Sequence, residues 1–157
     1  MATAEPKAAL AVEAASWLVF MIGSSWLAVE LGRVIEIQEG RDIFPVPLVT
    51  PKVLGVTYWR ERALPVLNPA VLEEALGQTR PQAAGRPGLL AVLEIGAECL
   101  GILFDQIERV VRTEELELRP EAHPPTRGEV IELWGRYRDH GLFRLNLERI
   151  LERVREG

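Results

Sequence analysis

The chain carries its own internal repeat. An offset of 73 residues lays Ile22 on Ile95, Gly23 on Gly96, Leu27 on Leu100, Val29 on Ile102, Val34 on Ile107 and Ile37 on Val110. The local pattern around these positions is that of short strands. Trp17–Ile22 is an apolar run rich in aromatic and β-branched types, closed by Gly23-Ser24-Ser25 and followed by Trp26–Leu31, which reads as strand, turn, strand. Leu90–Ile95, Gly96-Ala97-Glu98 and Cys99–Phe104 repeat the plan. Between the copies, Arg33–Gln38 alternates, with Ile35 and Ile37 on one side and Val34, Glu36 and Gln38 on the other.

Each half continues in the same order: a proline loop, a hairpin, a short helix. Pro45, Pro47 and Pro51 punctuate the first loop and Pro120 to Pro125 the second; fixed φ and missing N–H groups make such segments connectors rather than central strands. Leu54–Trp59 and Ala63–Leu67 flank Arg60-Glu61-Arg62 as one hairpin, and Glu129–Tyr137 and Gly141–Leu145 flank Asp139-His140-Gly141 as the other. Asn68 caps a helix that opens on Pro69 and closes on Gly77. Asn146 precedes a helical run with Leu147, Ile150, Leu151 and Val154 on one face. The spacing predicts a mainly β fold of two five-stranded barrels, with a short capped helix after each hairpin. The halves span about 16–77 and 89–155, joined by a linker over 78–88 and preceded by a flexible Ala-rich arm over 1–15.

The inventory for chemistry is thin. There are three aspartates, two histidines and one cysteine, with no phosphate-binding glycine loop and no nucleophile elbow. His123 and His140 lie in turn-like contexts and neither has a second histidine at metal-ligand spacing. Cys99 sits in a strand as a small apolar residue. The expectation is no catalytic residue, no metal and no cofactor. An enzyme would need His123 or His140 joined to a carboxylate and a nucleophile.

Eighteen basic residues face 23 acidic ones, for a net charge of −5, and neither half is predominantly basic, so the chain is not expected to bind nucleic acid. The longest uncharged run, Ala14 to Val29, is shorter than the roughly 20 residues of a membrane span, and Glu5 and Glu13 stand where a signal peptide would be basic. A cytoplasmic location without membrane insertion follows as the expectation.

What remains suits contact. Val34 shares a strand face with Glu36 and Gln38, so an apolar group faces solvent there or is a lone exposed valine. Trp59-Arg60-Glu61-Arg62 sets an aromatic beside two guanidiniums, residue types enriched at binding hot spots. The plainer alternative is a charged turn in which Arg60 pairs with a nearby glutamate.

Val53-Leu54-Gly55-Val56-Thr57-Tyr58-Trp59-Arg60 followed by Leu64-Pro65-Val66-Leu67-Asn68 resembles the central signature of CheW-like domains. Leu18-Val19-Phe20, Val34-Ile35-Glu36-Ile37 with Pro45 and Pro51, and Gly101-Ile102-Leu103-Phe104-Asp105-Gln106-Ile107 are similar to its other segments, in order from Ser16 to Val154. The resemblance implies two five-stranded SH3-like barrels around a shared core, with strands able to cross between barrels. It further implies a non-catalytic adaptor in bacterial chemotaxis or twitching motility, linking the cytoplasmic hairpin of chemoreceptors to the regulatory domain of a CheA-type histidine kinase, and so located at membrane receptor arrays through protein partners. Val34, Gly55 and Arg60 match family positions tied to partner contacts, and Trp59 and Arg62 flank them.

The alternative is a divergent CheW-like module serving another motility or two-component partner. Glu61 stands where the family has glycine after the arginine, Asn68 and Asn146 where it has aspartate, and Pro69 where it has leucine.

Overall fold

The computed structural model describes residues 16–46, 51–81, 83, 85–118 and 129–156. The N-terminal arm, Pro47 and the second proline loop with His123 lie outside the described residues. Eleven strands appear among those described: β1 (Ser16–Ile22), β2 (Ser25–Glu30), β3 (Val34–Glu39), β4 (Val53–Trp59), β5 (Arg62–Leu67), β6 (Leu89–Ile95), β7 (Glu98–Phe104), β8 (Gln106–Arg112), β9 (Glu117–Leu118), β10 (Ile131–Tyr137) and β11 (His140–Leu145). Helix α1 (Pro69–Ala75) follows β5 and α2 (Leu147–Glu156) follows β11, while short 3₁₀ turns occupy Leu31–Arg33 and Thr113–Glu115.

The strands form two sheets, ordered β3-β6-β7-β5-β4 and β8-β1-β2-β11-β10-β9. Both close. In the first, the chain leaving β3 returns at Phe44, which exchanges backbone bonds of 2.8 and 2.9 Å with Val56 of β4. In the second, β8 turns through Thr113–Glu115 into β9, which pairs with β10 at Arg136 and Gly135. The sixth strand of that sheet is thus the bent end of β8, and each sheet is a five-stranded barrel. Gly55 and Gly135 make both closures possible: a Cβ on Gly55 would overlap the Phe44 carbonyl, and one on Gly135 the Glu117 carbonyl.

The barrels do not coincide with the sequence halves. The first barrel is one continuous segment, from Val34 to Phe104. It is inserted between β2 and β8 of the second, whose remaining strands come from the two ends of the described chain. The chain crosses between barrels twice, through the turn Leu31–Arg33 and through the single residue Asp105.

This nesting explains the apolar runs Trp17–Ile22 of β1 and Leu89–Leu93 of β6. Trp17 and Val19 point into the second barrel and Leu18, Phe20 and Ile22 into the layer between barrels. Likewise Leu90 and Val92 fill the first barrel while Ala91, Leu93 and Ile95 join the shared layer. Strands buried on both faces lose the one-sided alternation of a half-solvated strand. Both helices seal the shared layer, through Leu72 of α1 and Leu147 and Ile150 of α2.

The caps follow their sequence signals. Asn68 Oδ1 accepts from the Ala70 N–H at 3.0 Å, and Asn146 Oδ1 from the Arg149 N–H at 3.1 Å. Gly77, at φ +71°, ends α1 with Gly77 N–H to Glu74 O at 3.0 Å and Gln78 N–H to Glu73 O at 2.8 Å, a Schellman closure.

One expectation is corrected. The second hairpin turns at Arg138-Asp139, both at positive φ, and His140 already belongs to β11; two residues in that conformation complete a type I′ turn by themselves. The start of the linker is fastened to the β1–β2 turn: Gln78 Nε2 donates to the Ile22 carbonyl at 3.0 Å and to Ser25 Oγ at 2.6 Å.

Candidate protein-interaction surface

The hairpin joining β4 and β5 turns on Arg60 and Glu61, at φ 50° and 63°. Glu61 therefore adopts the left-handed conformation that glycine would take without strain, and the turn keeps its two-residue form. Trp59, grouped with the contact residues by the sequence, is buried at 6% exposure among Leu64, Val66 and Leu90. Alternation along β4 puts it on the inward face with Gly55 and Thr57, while Tyr58 between them points to solvent. The indole Nε1–H donates to Glu36 Oε1 of β3 at 3.0 Å.

The same Glu36 oxygen lies 3.7 Å from Arg60 Nη2. The Arg60 guanidinium sits 4.6 Å from the Trp59 ring centroid and that of Arg62 5.8 Å from it, within cation–π range. Arg60 remains mostly exposed, so it both pairs locally with a glutamate and is available to a partner. Arg62 is exposed beside it. Gly55 is buried and occupied by the closing Phe44 segment, so what it supplies is backbone fit.

The other barrel repeats the device. Arg138 lies over Tyr137 at 5.3 Å and pairs with Glu108 of β8 at 3.4 Å, on a turn with φ 50° and 65°. His140 stacks on Trp26 at 4.6 Å with 9° between planes.

Val34 is half-buried at the margin of the shared layer. Two residues missed by contact reasoning from the sequence join it. Ile107 and Val110 of β8 are 43% and 47% exposed. They pair with Phe20 and Leu18, so their side chains emerge on the face of β1 that feeds the shared layer. The offset that laid Val34 on Ile107 and Ile37 on Val110 was the available signal. Two exposed aromatics, Phe44 at 53% and Tyr58 at 75%, stand together on the first barrel; a strand position alone does not reveal such exposure.

Several charged side chains among the described residues pair with one another in salt bridges. No group of three His, Cys, Asp or Glu among the described residues is placed to hold a metal. Arg33 Nη2 lies 2.8 Å from Glu148 Oε2, and this hydrogen bond is the main cause holding the Glu148 carboxyl below its usual value. Arg80 bonds Asp105 and Glu73, and the Asp105 bond is the main cause raising its own pKa. No described helix is long and apolar enough to cross a membrane.

Two nested five-stranded barrels packed on one apolar layer define a double-barrel β fold. The chain belongs to the family of CheW-like domains, whose family model matches residues 16–155. Among solved structures it is similar to the scaffolding protein TtCheW from Thermoanaerobacter tengcongensis, at 17% identity and a TM-score of 0.70, covering 88% of this chain and 93% of that one. A comparison with curated proteins finds no match.

Proposed function

We propose that the protein is a non-catalytic adaptor that couples the cytoplasmic hairpin of chemoreceptors to the regulatory domain of a CheA-type histidine kinase. The observation that carries the reading is the apolar seam between the barrels, with Val34 beside one chain crossing and Ile107 and Val110 beyond the other. A helical hairpin with an apolar stripe is the kind of ligand such a seam accepts. Arg60, exposed and held upright on Trp59, suits a separate end-on contact with a barrel of the same family. Family membership supports both contacts, and on this reading the work is done at receptor arrays through protein partners.

Titration of the full chain with a receptor hairpin and with a kinase regulatory domain tests the reading. Val110→Glu is expected to weaken the hairpin contact and Arg60→Glu the kinase contact, each by roughly tenfold or more. Absence of binding to either partner at roughly tens of micromolar overturns the proposal.

A further inference from the structure

Asp105 is the whole of the second crossing between barrels, and it is held from both sides. Its Oδ2 accepts the Gly23 N–H of the β1–β2 turn at 2.7 Å and lies 2.6 Å from Arg80 Nη2. Arg80 Nε reaches Glu73 Oε2 of α1 at 2.7 Å. One guanidinium from the linker therefore joins the helix of the first barrel to the turn of the second. The group is sheltered, with the Arg80 side chain 19% and that of Glu73 10% exposed. Gln78 fastens the same turn through Ile22 and Ser25.

What this clasp holds is the start of β8. The β1–β8 ladder shifts register between Val19 and Phe20, so only the pairs Phe20–Ile107 and Met21–Gln106 lie on the Asp105 side of the irregularity. Two pairs are a weak anchor for a strand end. The Asp105 N–H bond to the Met21 carbonyl, at 2.9 Å, adds a third backbone tie. Ile107, two residues beyond Asp105, is one of the exposed apolar groups of the seam.

We infer that Arg80 is a positioning residue: by clasping Asp105 to Glu73 it sets the strand end that presents Ile107, and so shapes the seam without touching a partner. The first crossing has a more exposed counterpart in Arg33, which pairs with Glu148 and lies 3.9 Å from Glu30. The functional consequence rests on the seam being the partner surface; the placement of Ile107 does not.

The test separates the two. In the full chain without partner, the Ile107 methyl signal and the amide exchange of residues 21–23 and 105–108 are followed for Arg80→Gln, Asp105→Asn and the double variant. The expected result is a shifted Ile107 methyl and roughly tenfold faster exchange in those two segments, with Ile131 and Ile150 unmoved. The two single changes are expected to be non-additive, because both break one ion pair while asparagine still accepts from Gly23. Arg80→Lys, which keeps the charge but not the two-armed geometry, is expected to restore part of the effect. An unmoved Ile107 methyl, additive singles, or faster exchange confined to residues 78–81 overturns the inference. Uniform acceleration across all strands also overturns it, by showing a global role. Loss of receptor-hairpin binding is a separate measurement, and its absence alongside a displaced Ile107 would count against the seam and not against the clasp.

Discussion

Glu36 accepts the indole N–H of Trp59 at 3.0 Å and faces the Arg60 guanidinium with the same oxygen. One carboxylate therefore serves a buried donor and an exposed charge together. The two partners differ in what they contribute. The Trp59 bond satisfies a donor in a buried ring, and the Arg60 pair is a solvent-exposed contact at 3.7 Å.

Glu36→Ala is accordingly expected to cost about 1–2 kcal/mol, because the indole N–H loses its acceptor. Arg60→Ala is expected to stay within about 0.5 kcal/mol of the parent, as exposed pairs usually do. Urea unfolding curves of the two variants measure this. A larger loss for Arg60→Ala than for Glu36→Ala would reverse the assignment.

Glu61 sits at φ 63°, where a Cβ is unfavourable and glycine is not. Glu61→Gly is therefore expected to raise stability by about 0.5–1 kcal/mol, after allowance for the more flexible unfolded chain. Asp139, at φ 65°, should gain less, since aspartate tolerates this conformation better than glutamate. The check is the urea midpoint at unchanged slope.

The fold was legible in outline and the nesting was not. The turns at Gly23 and Gly96, the caps at Asn68 and Asn146 and the proline connectors are local signals, and each local rule acts within a few residues. The insertion of one barrel into the other is written in pairings far apart along the chain: β11 beside β2 in parallel, and β5 meeting β7 at Val66–Gly101. Apolar runs such as Leu89–Leu93 announce a buried strand without saying that its two faces enter different cores. The same blindness hid part of the candidate surface. Residue type drew attention to Trp59 and Arg60, but only the register of β8 against β1 shows that Ile107 and Val110 stand exposed beside a core.

The Glu148 carboxyl is held below its usual value of 4.5, first by its bond to Arg33. A carboxyl with a depressed folded pKa stabilises the fold above the unfolded pKa, and that contribution is lost as pH falls through the lower folded value. Glu148 is largely exposed, so solvent screening limits the effect to a few tenths of a kcal/mol. Arg33→Gln is expected to be less stable than the parent by that amount at neutral pH. The gap should close below pH 4.5 as Glu148 takes up its proton. Unfolding midpoints of the pair across pH 3–7 test it, and a gap that widens on acidification would contradict the assignment.

Residues 34–104 form a closed barrel on one unbroken segment, which would ordinarily favour independent folding. Its apolar side chains argue otherwise. Leu67, Leu72, Leu93, Ile95, Leu100, Ile102 and Phe104 all face the shared layer and are at most 3% exposed. Excision would return them to water at about 1.5–3 kcal/mol for each fully buried side chain, against a total stability of only about 5–15 kcal/mol for a domain. The excised segment is therefore expected to lack a cooperative unfolding transition and to associate through that face. The parent chain should unfold in one transition, because neither barrel keeps its outer layer without the other. Heteronuclear spectra and urea unfolding of the segment beside the full chain decide it. A well-dispersed, monomeric 34–104 segment would show that the strand closure at Phe44, rather than the layer between barrels, holds the first barrel together.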